Sequence, residues 1–117
     1  MEVLGKGVSL VIILLLLSSC LRVDCEENAR FFRAVECLQI FEKLPTLESP
    51  YMKSEGIHLV TGDKCICEDE TRALNIYKNI LEKGDSIIKR KGELNFSIHK
   101  KDTIIEVKWE CEGKVYE

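Results

Sequence analysis

Past residue 17 the sequence has no second apolar run as dense as its first, so no further candidate for a membrane-spanning helix follows it. The H-E-x-x-H spacing of zinc proteases is missing, and so is the G-x-S-x-G turn that exposes a nucleophilic serine. Beyond the opening Gly5-Lys6-Gly7 there is no glycine-rich phosphate loop. These gaps remove the best-marked hydrolase and nucleotide-binding classes. Internal repeats and low-complexity tracts are absent as well. Nor does charge of one sign prevail: 17 lysines and arginines are interspersed with 20 aspartates and glutamates, a net charge of −3. Nucleic acid and an anionic membrane are therefore not expected as main partners. Neither enzyme activity nor a cofactor is expected from what remains.

What is present begins with Lys6 ahead of Val11-Ile12-Ile13-Leu14-Leu15-Leu16-Leu17, then the small residues Ser18, Ser19 and Cys20. That is the order of a secretory signal peptide, and the run is shorter than the roughly 20 residues of a spanning helix. A secreted, extracellular protein is expected. Two cuts satisfy the small-residue rule, one after Cys20 and one after Cys25. The first leaves five cysteines and one stranded sulfur; the second leaves Cys37, Cys65, Cys67 and Cys111, an even set suited to two bridges. Parity favours a signal over residues 1–25 and a single disulfide-bonded domain over 26–117. A domain so small has a thin core, and two bridges contribute on the order of 3–4 kcal/mol each.

The fold expected is α+β, an N-terminal helix packed on an antiparallel sheet of four or five strands. The spacing predicts one helix from Glu26 to Leu44, with Phe31, Ala34, Val35, Leu38 and Phe41 on its stripe and Pro45 as its stop. Phe32 falls off that stripe and is a candidate exposed contact. Thr46–Ser54 reads as a loop, Ile57–Thr61 as a strand ending at the Gly62-Asp63 turn, and Lys64–Glu68 as the next strand. Thr71–Lys83 fits a strand or a short helix equally.

The last third alternates strictly. Leu94, Phe96, Ile98, Ile105, Val107 and Trp109 define the inward face of a hairpin, and Cys111 closes it. Asn95-Phe96-Ser97 is a glycosylation sequon whose asparagine falls on the outward face.

Cys65-Ile66-Cys67 is the most distinctive local feature. On a strand the two side chains share a face with Cα atoms roughly 6.6 Å apart, so each is expected to bridge to a distant partner, one to Cys37 and the other to Cys111. A zinc site is not expected, because His58 and His99 stand singly and no matching ligand pair exists. The same isolation argues against either histidine as a general base. Lys89-Arg90-Lys91 reads as a solvated turn or edge, and offers basic contact residues.

From Tyr51 onward the order of features resembles the salivary lipocalins of blood-feeding ticks. The resemblance rests on the helix ending near Leu44, on Gly62-Asp63-Lys64-Cys65, on Tyr77-Lys78-Asn79 and on the alternating C-terminal strands. It implies a short or diverged relative of a cup-shaped sheet that holds a small hydrophobic or amine ligand. The chain is too short for the full eight strands, and no binding residue carries over. The function expected is that of a secreted non-enzymatic binding protein, a salivary or venom-type effector that sequesters a ligand or blocks an extracellular host protein. The alternatives are a signalling ligand or toxin acting on a membrane receptor or channel, and an enzyme inhibitor.

Overall fold

A computed structural model describes residues 24–117. Residues 1–23, and with them nearly all of the expected signal peptide, lie outside the described residues.

The helix forms where its ends are best specified. Asp24 caps it, its carboxylate accepting from the Glu27 backbone N–H at 3.0 Å, and α1 runs Cys25–Arg33 with Glu26 and Glu27 in the first turn and Arg30 and Arg33 in the last. Each charge sits at the end of the helix dipole that favours it. Only Ala29 and Phe32 of α1 are buried, a stripe one residue away from the one expected.

The helix therefore stops well short of Leu44, and the second half of the expected helix is a strand. Strand β1 (Cys37–Lys43) buries Cys37, Gln39 and Phe41 on one face and half-buries Leu38 and Ile40 on the other. A central strand apolar on both faces carries hydrophobes at every spacing, so Val35, Leu38 and Phe41 mimic a helical stripe.

Strands β2 (Met52–His58), β3 (Lys64–Asp69), β4 (Ser86–Lys89), β5 (Phe96–His99) and β6 (Ile104–Val107) complete an antiparallel sheet in the order β3-β2-β1-β4-β5-β6. A 3₁₀ turn, Asn75–Ile80, crosses between β3 and β4, and β7 (Glu110–Cys111) pairs with β8 (Lys114–Val115) in a separate ribbon. One helix thus packs on a sheet, as expected, but the molecule is mostly sheet. The C-terminal hairpin has the expected facing, with Ile98 opposite Ile105 and Phe96 opposite Val107.

The core lies between the inner face of the sheet and α1. Phe32 meets Phe96 edge-on at 5.9 Å between centroids, and Tyr77 meets the same ring from the 3₁₀ turn at 5.4 Å. Phe32 is fully buried, which corrects its reading as an exposed contact: a helix ending at Arg33 directs Phe32, not Phe31, at the sheet.

Two disulfides join described residues: Cys37–Cys67 within this core, and the half-buried Cys25–Cys111, which ties the start of α1 to β7. Cys67 reaches Cys37 as expected. Among the described residues Cys65 has no bridging partner and is a half-buried thiol. The partner expected for it, Cys111, is taken by Cys25, which the preferred cleavage would have discarded. Cys65 is held by hydrogen bonds: its carbonyl and sulfur accept from Gln39 Nε2 at 3.0 and 3.4 Å, and Ser54 Oγ donates to Gln39 Oε1 at 2.6 Å. Gln39 and Ser54 are both buried, so this satisfied network takes the place of a bridge in that corner of the core.

Lys89 is buried too, not in a solvated turn, because β4 alternation turns Ile87 and Lys89 inward together. Its ammonium donates to Val35 O at 2.7 Å and Arg90 O at 2.8 Å and lies 4.7 Å from the centre of the Phe32 ring. Desolvation lowers its pKa from the ordinary 10.5 to about 8, against the opposing pull of Glu93, Asp69 and Glu36. Below about pH 8 both the folded and the unfolded chain carry the charge, and the folded chain bears the cost of burying it. Between about 8 and 10.5 the folded chain has lost the proton and the unfolded chain has not, so stability rises with pH. The full gain is on the order of 3 kcal/mol. Lys100 works the other way, its pKa raised chiefly by the hydrogen bond to Asp85, so its contribution declines only above the ordinary lysine range. Urea midpoints should climb from pH 8 to 10, and Lys89→Met should flatten that climb.

Candidate binding groove

Beyond α1 the chain turns through Val35 and Glu36 into β1, and the loop 44–51 folds back toward the end of β3. Lys78 anchors this loop from the 3₁₀ turn, donating to Thr46 O at 2.8 Å and Ser49 O at 2.6 Å. Asp69, buried at the end of β3, organises the next turn by accepting from the Thr71 and Leu74 backbone N–H groups at 2.8 and 2.9 Å. Within that turn Arg72 takes the left-handed conformation, φ 69°, which carries strain in a residue other than glycine.

These constraints leave a groove of about 660 Å³ between α1 and the two loops, lined by Phe31, Val35, Tyr51 and Arg72 among others. Phe31 is 52% and Tyr51 44% exposed. Arg30 stands 5.3 Å from the centre of the Phe31 ring, and Arg72 stands 5.6 Å from that of Tyr51. Each guanidinium is held over an aromatic face by cation–π attraction. Large aromatics and arginines are the side chains enriched where binding energy concentrates at protein interfaces. Glu36, Glu68 and Glu70 line the same groove and give it a mixed-charge rim.

A larger cleft, about 740 Å³, lies beside β5 and β6 and is lined by Arg90, Glu93 and Asn95 together with Tyr77 and Phe96. Of the three basic residues read as contacts, Arg90 and Lys91 are exposed and Lys89 is not. Asn95 is exposed immediately before β5. The sites expected from the sequence thus fall away from the helix groove, and its aromatic and arginine residues were not singled out. The signal for Phe31 was the N-cap: a helix starting at Asp24 with two charged turns and a stripe through Ala29 and Phe32 leaves Phe31 facing out.

The histidines stay apart. His58 Nδ1 accepts from the Val60 and Thr61 backbone N–H groups at 3.1 and 3.3 Å, closing the turn after β2, while His99 Nε2 lies 2.9 Å from Ser97 Oγ on β5. Among the described residues no group of three or more His, Cys, Asp or Glu side chains is placed to hold a metal ion, and no helix is long and apolar enough to cross a membrane. No family model, curated protein or solved structure matches this chain.

Proposed function

We infer that the chain is a secreted, non-enzymatic binding protein that docks an extracellular protein through the groove beside α1, blocking or sequestering it in the manner of a salivary or venom-type effector. The observation that carries this reading is the pair of exposed rings on one groove, Phe31 and Tyr51, each under an arginine. The half of each ring left in water forfeits burial worth on the order of 1 kcal/mol, which a partner recovers on docking.

Export is supported by the two disulfides, which persist in oxidising compartments, and by the apolar run Val11–Leu17. Cleavage after Cys20 fits the bridges better than cleavage after Cys25. It retains Cys25 and accounts for the remaining five cysteines as two bridges and the Cys65 thiol. A glycan on Asn95 would stand at the larger cleft and leave the helix groove open, since Asn95 lines the first and not the second.

The test is surface plasmon resonance of the glycosylated secreted protein against a panel of purified extracellular proteins, with the Phe31→Ala/Tyr51→Ala variant alongside. Loss of two anchoring aromatics should weaken a genuine interaction by about 30-fold or more. A partner bound equally well by the variant, or a panel that yields no partner, would tell against the groove.

A further inference from the structure

Strands β3 and β6 are the two open edges of the sheet. Among the described residues their outward backbone groups have no strand to pair with, and such an edge is a template for another chain. Hydrogen-bond phase identifies which groups of β3 face out. His58 N donates to Asp63 O at 2.8 Å, and Leu59 N donates to Leu38 O at 3.0 Å, so even-numbered residues of β2 point their backbone at β3 and odd-numbered ones at β1. In the β2–β3 register Gly56 lies opposite Cys65 and Ser54 opposite Cys67. Antiparallel alternation then turns the N–H and C=O groups of Lys64, Ile66 and Glu68 to the open edge.

Those three residues form a self-complementary set. When β3 runs antiparallel to a second β3 with Ile66 opposite Ile66, Lys64 of each copy falls opposite Glu68 of the other. This register makes all three outward-facing residues hydrogen-bonded pairs, and the side chains of all three lie on the outer face, where Ile66 is 58% exposed. Opposite charges directly across strands attract, and apolar residues across the two-fold axis cover each other. The other edge strand differs: β6 is four residues long against six for β3, and its exposed side chains are Ile104 and Glu106, with Lys108 just beyond its end.

We propose that β3 is a self-association edge, on which a second copy of this chain adds antiparallel about Ile66 to make one continuous sheet, with two Lys64–Glu68 pairs fixing the register. The proposal goes beyond the groove reading. Ile66 and Lys64 do not line that groove, whereas Glu68 stands on its rim and faces Lys53 at 3.6 Å within the chain, so Ile66→Pro and Lys64→Glu are the variants that report on the edge alone.

Multi-angle light scattering on the purified protein across the micromolar range should give twice the chain mass at its upper end. Ile66→Pro removes an N–H that faces the open edge, without an acceptor strand among the described residues, and should leave a folded monomer with both disulfides intact. Lys64→Glu and Glu68→Lys should each be monomeric as well, since either places like charges opposite each other. Mixed together, the two single variants should pair, because the carboxylates at positions 64 and 68 of one copy then face the ammonium groups at positions 68 and 64 of the other, and native mass spectrometry should read the heterodimer. A wild-type monomer throughout would overturn the proposal and make Lys64 and Glu68 charges that keep the edge single. A dimer undiminished by Ile66→Pro, or single variants that stay apart when mixed, would overturn it too.

Discussion

A chain made to start at Glu26 should be about 5 kcal/mol less stable than one made to start at Leu21. The difference has two named parts. Cys25–Cys111 spans 86 residues of sequence, and in the chain-entropy account closing a loop of that length restricts the unfolded chain by about 4–5 kcal/mol. Asp24 satisfies the Glu27 N–H at the helix start, and removing such a cap costs about 1 kcal/mol. A domain of this size has a total stability of roughly 5–15 kcal/mol, so the shorter chain sits near its unfolding threshold. Urea titration of the two chains in parallel checks this, with Ellman's reagent counting thiols. The longer chain should show one, Cys65, and the shorter two, Cys65 and Cys111. Equal midpoints would mean that the N-terminal bridge contributes nothing, and the cleavage argument would lose its physical basis.

The expected pairing of Cys65-Ile66-Cys67 treats its two sulfurs as equivalent, and they are not: Cys67 bridges to Cys37, while Cys111 is taken by Cys25. The shared face of Cys65 and Cys67 was legible from strand alternation alone, and both do point inward. What alternation lacks is the third dimension: Cys67 lies where Cys37 can reach it, and Cys65 lies beside Gln39, a residue that reads as surface in any composition scale but is fully buried. Lys89 has the same history. Three consecutive basic residues look like a turn, and only the Val35 carbonyl and the Phe32 face, contributed by a distant segment, together with the neighbouring Arg90 carbonyl, explain why one of them goes inside. The C-terminal hairpin was legible because one face meets the core and the other meets water, which imposes period two on the sequence. β1 was not, since a strand between two others with hydrophobes on both faces has no polar side to reveal its period.

The same ambiguity at α1 gives the sharpest contrast between neighbours. Phe32→Ala should cost about 3–5 kcal/mol, while Phe31→Ala should change stability by less than about 0.5 kcal/mol. Phe32 is completely buried, and its truncation leaves a void against Phe96. It also takes away the aromatic face beneath the Lys89 ammonium, which then keeps two carbonyl acceptors and loses its third favourable contact. Phe31, one residue earlier, is half in water and touches the groove but not the core. Thermal unfolding of the two variants separates a helix ending at Arg33 from one continuing along the 26–44 stripe, since the longer helix would bury Phe31 and reverse the order of the two costs. Partner affinity should respond in the opposite sense. Phe31→Ala, with its fold intact, should lose binding through the groove, and any loss seen with Phe32→Ala should track its unfolded fraction.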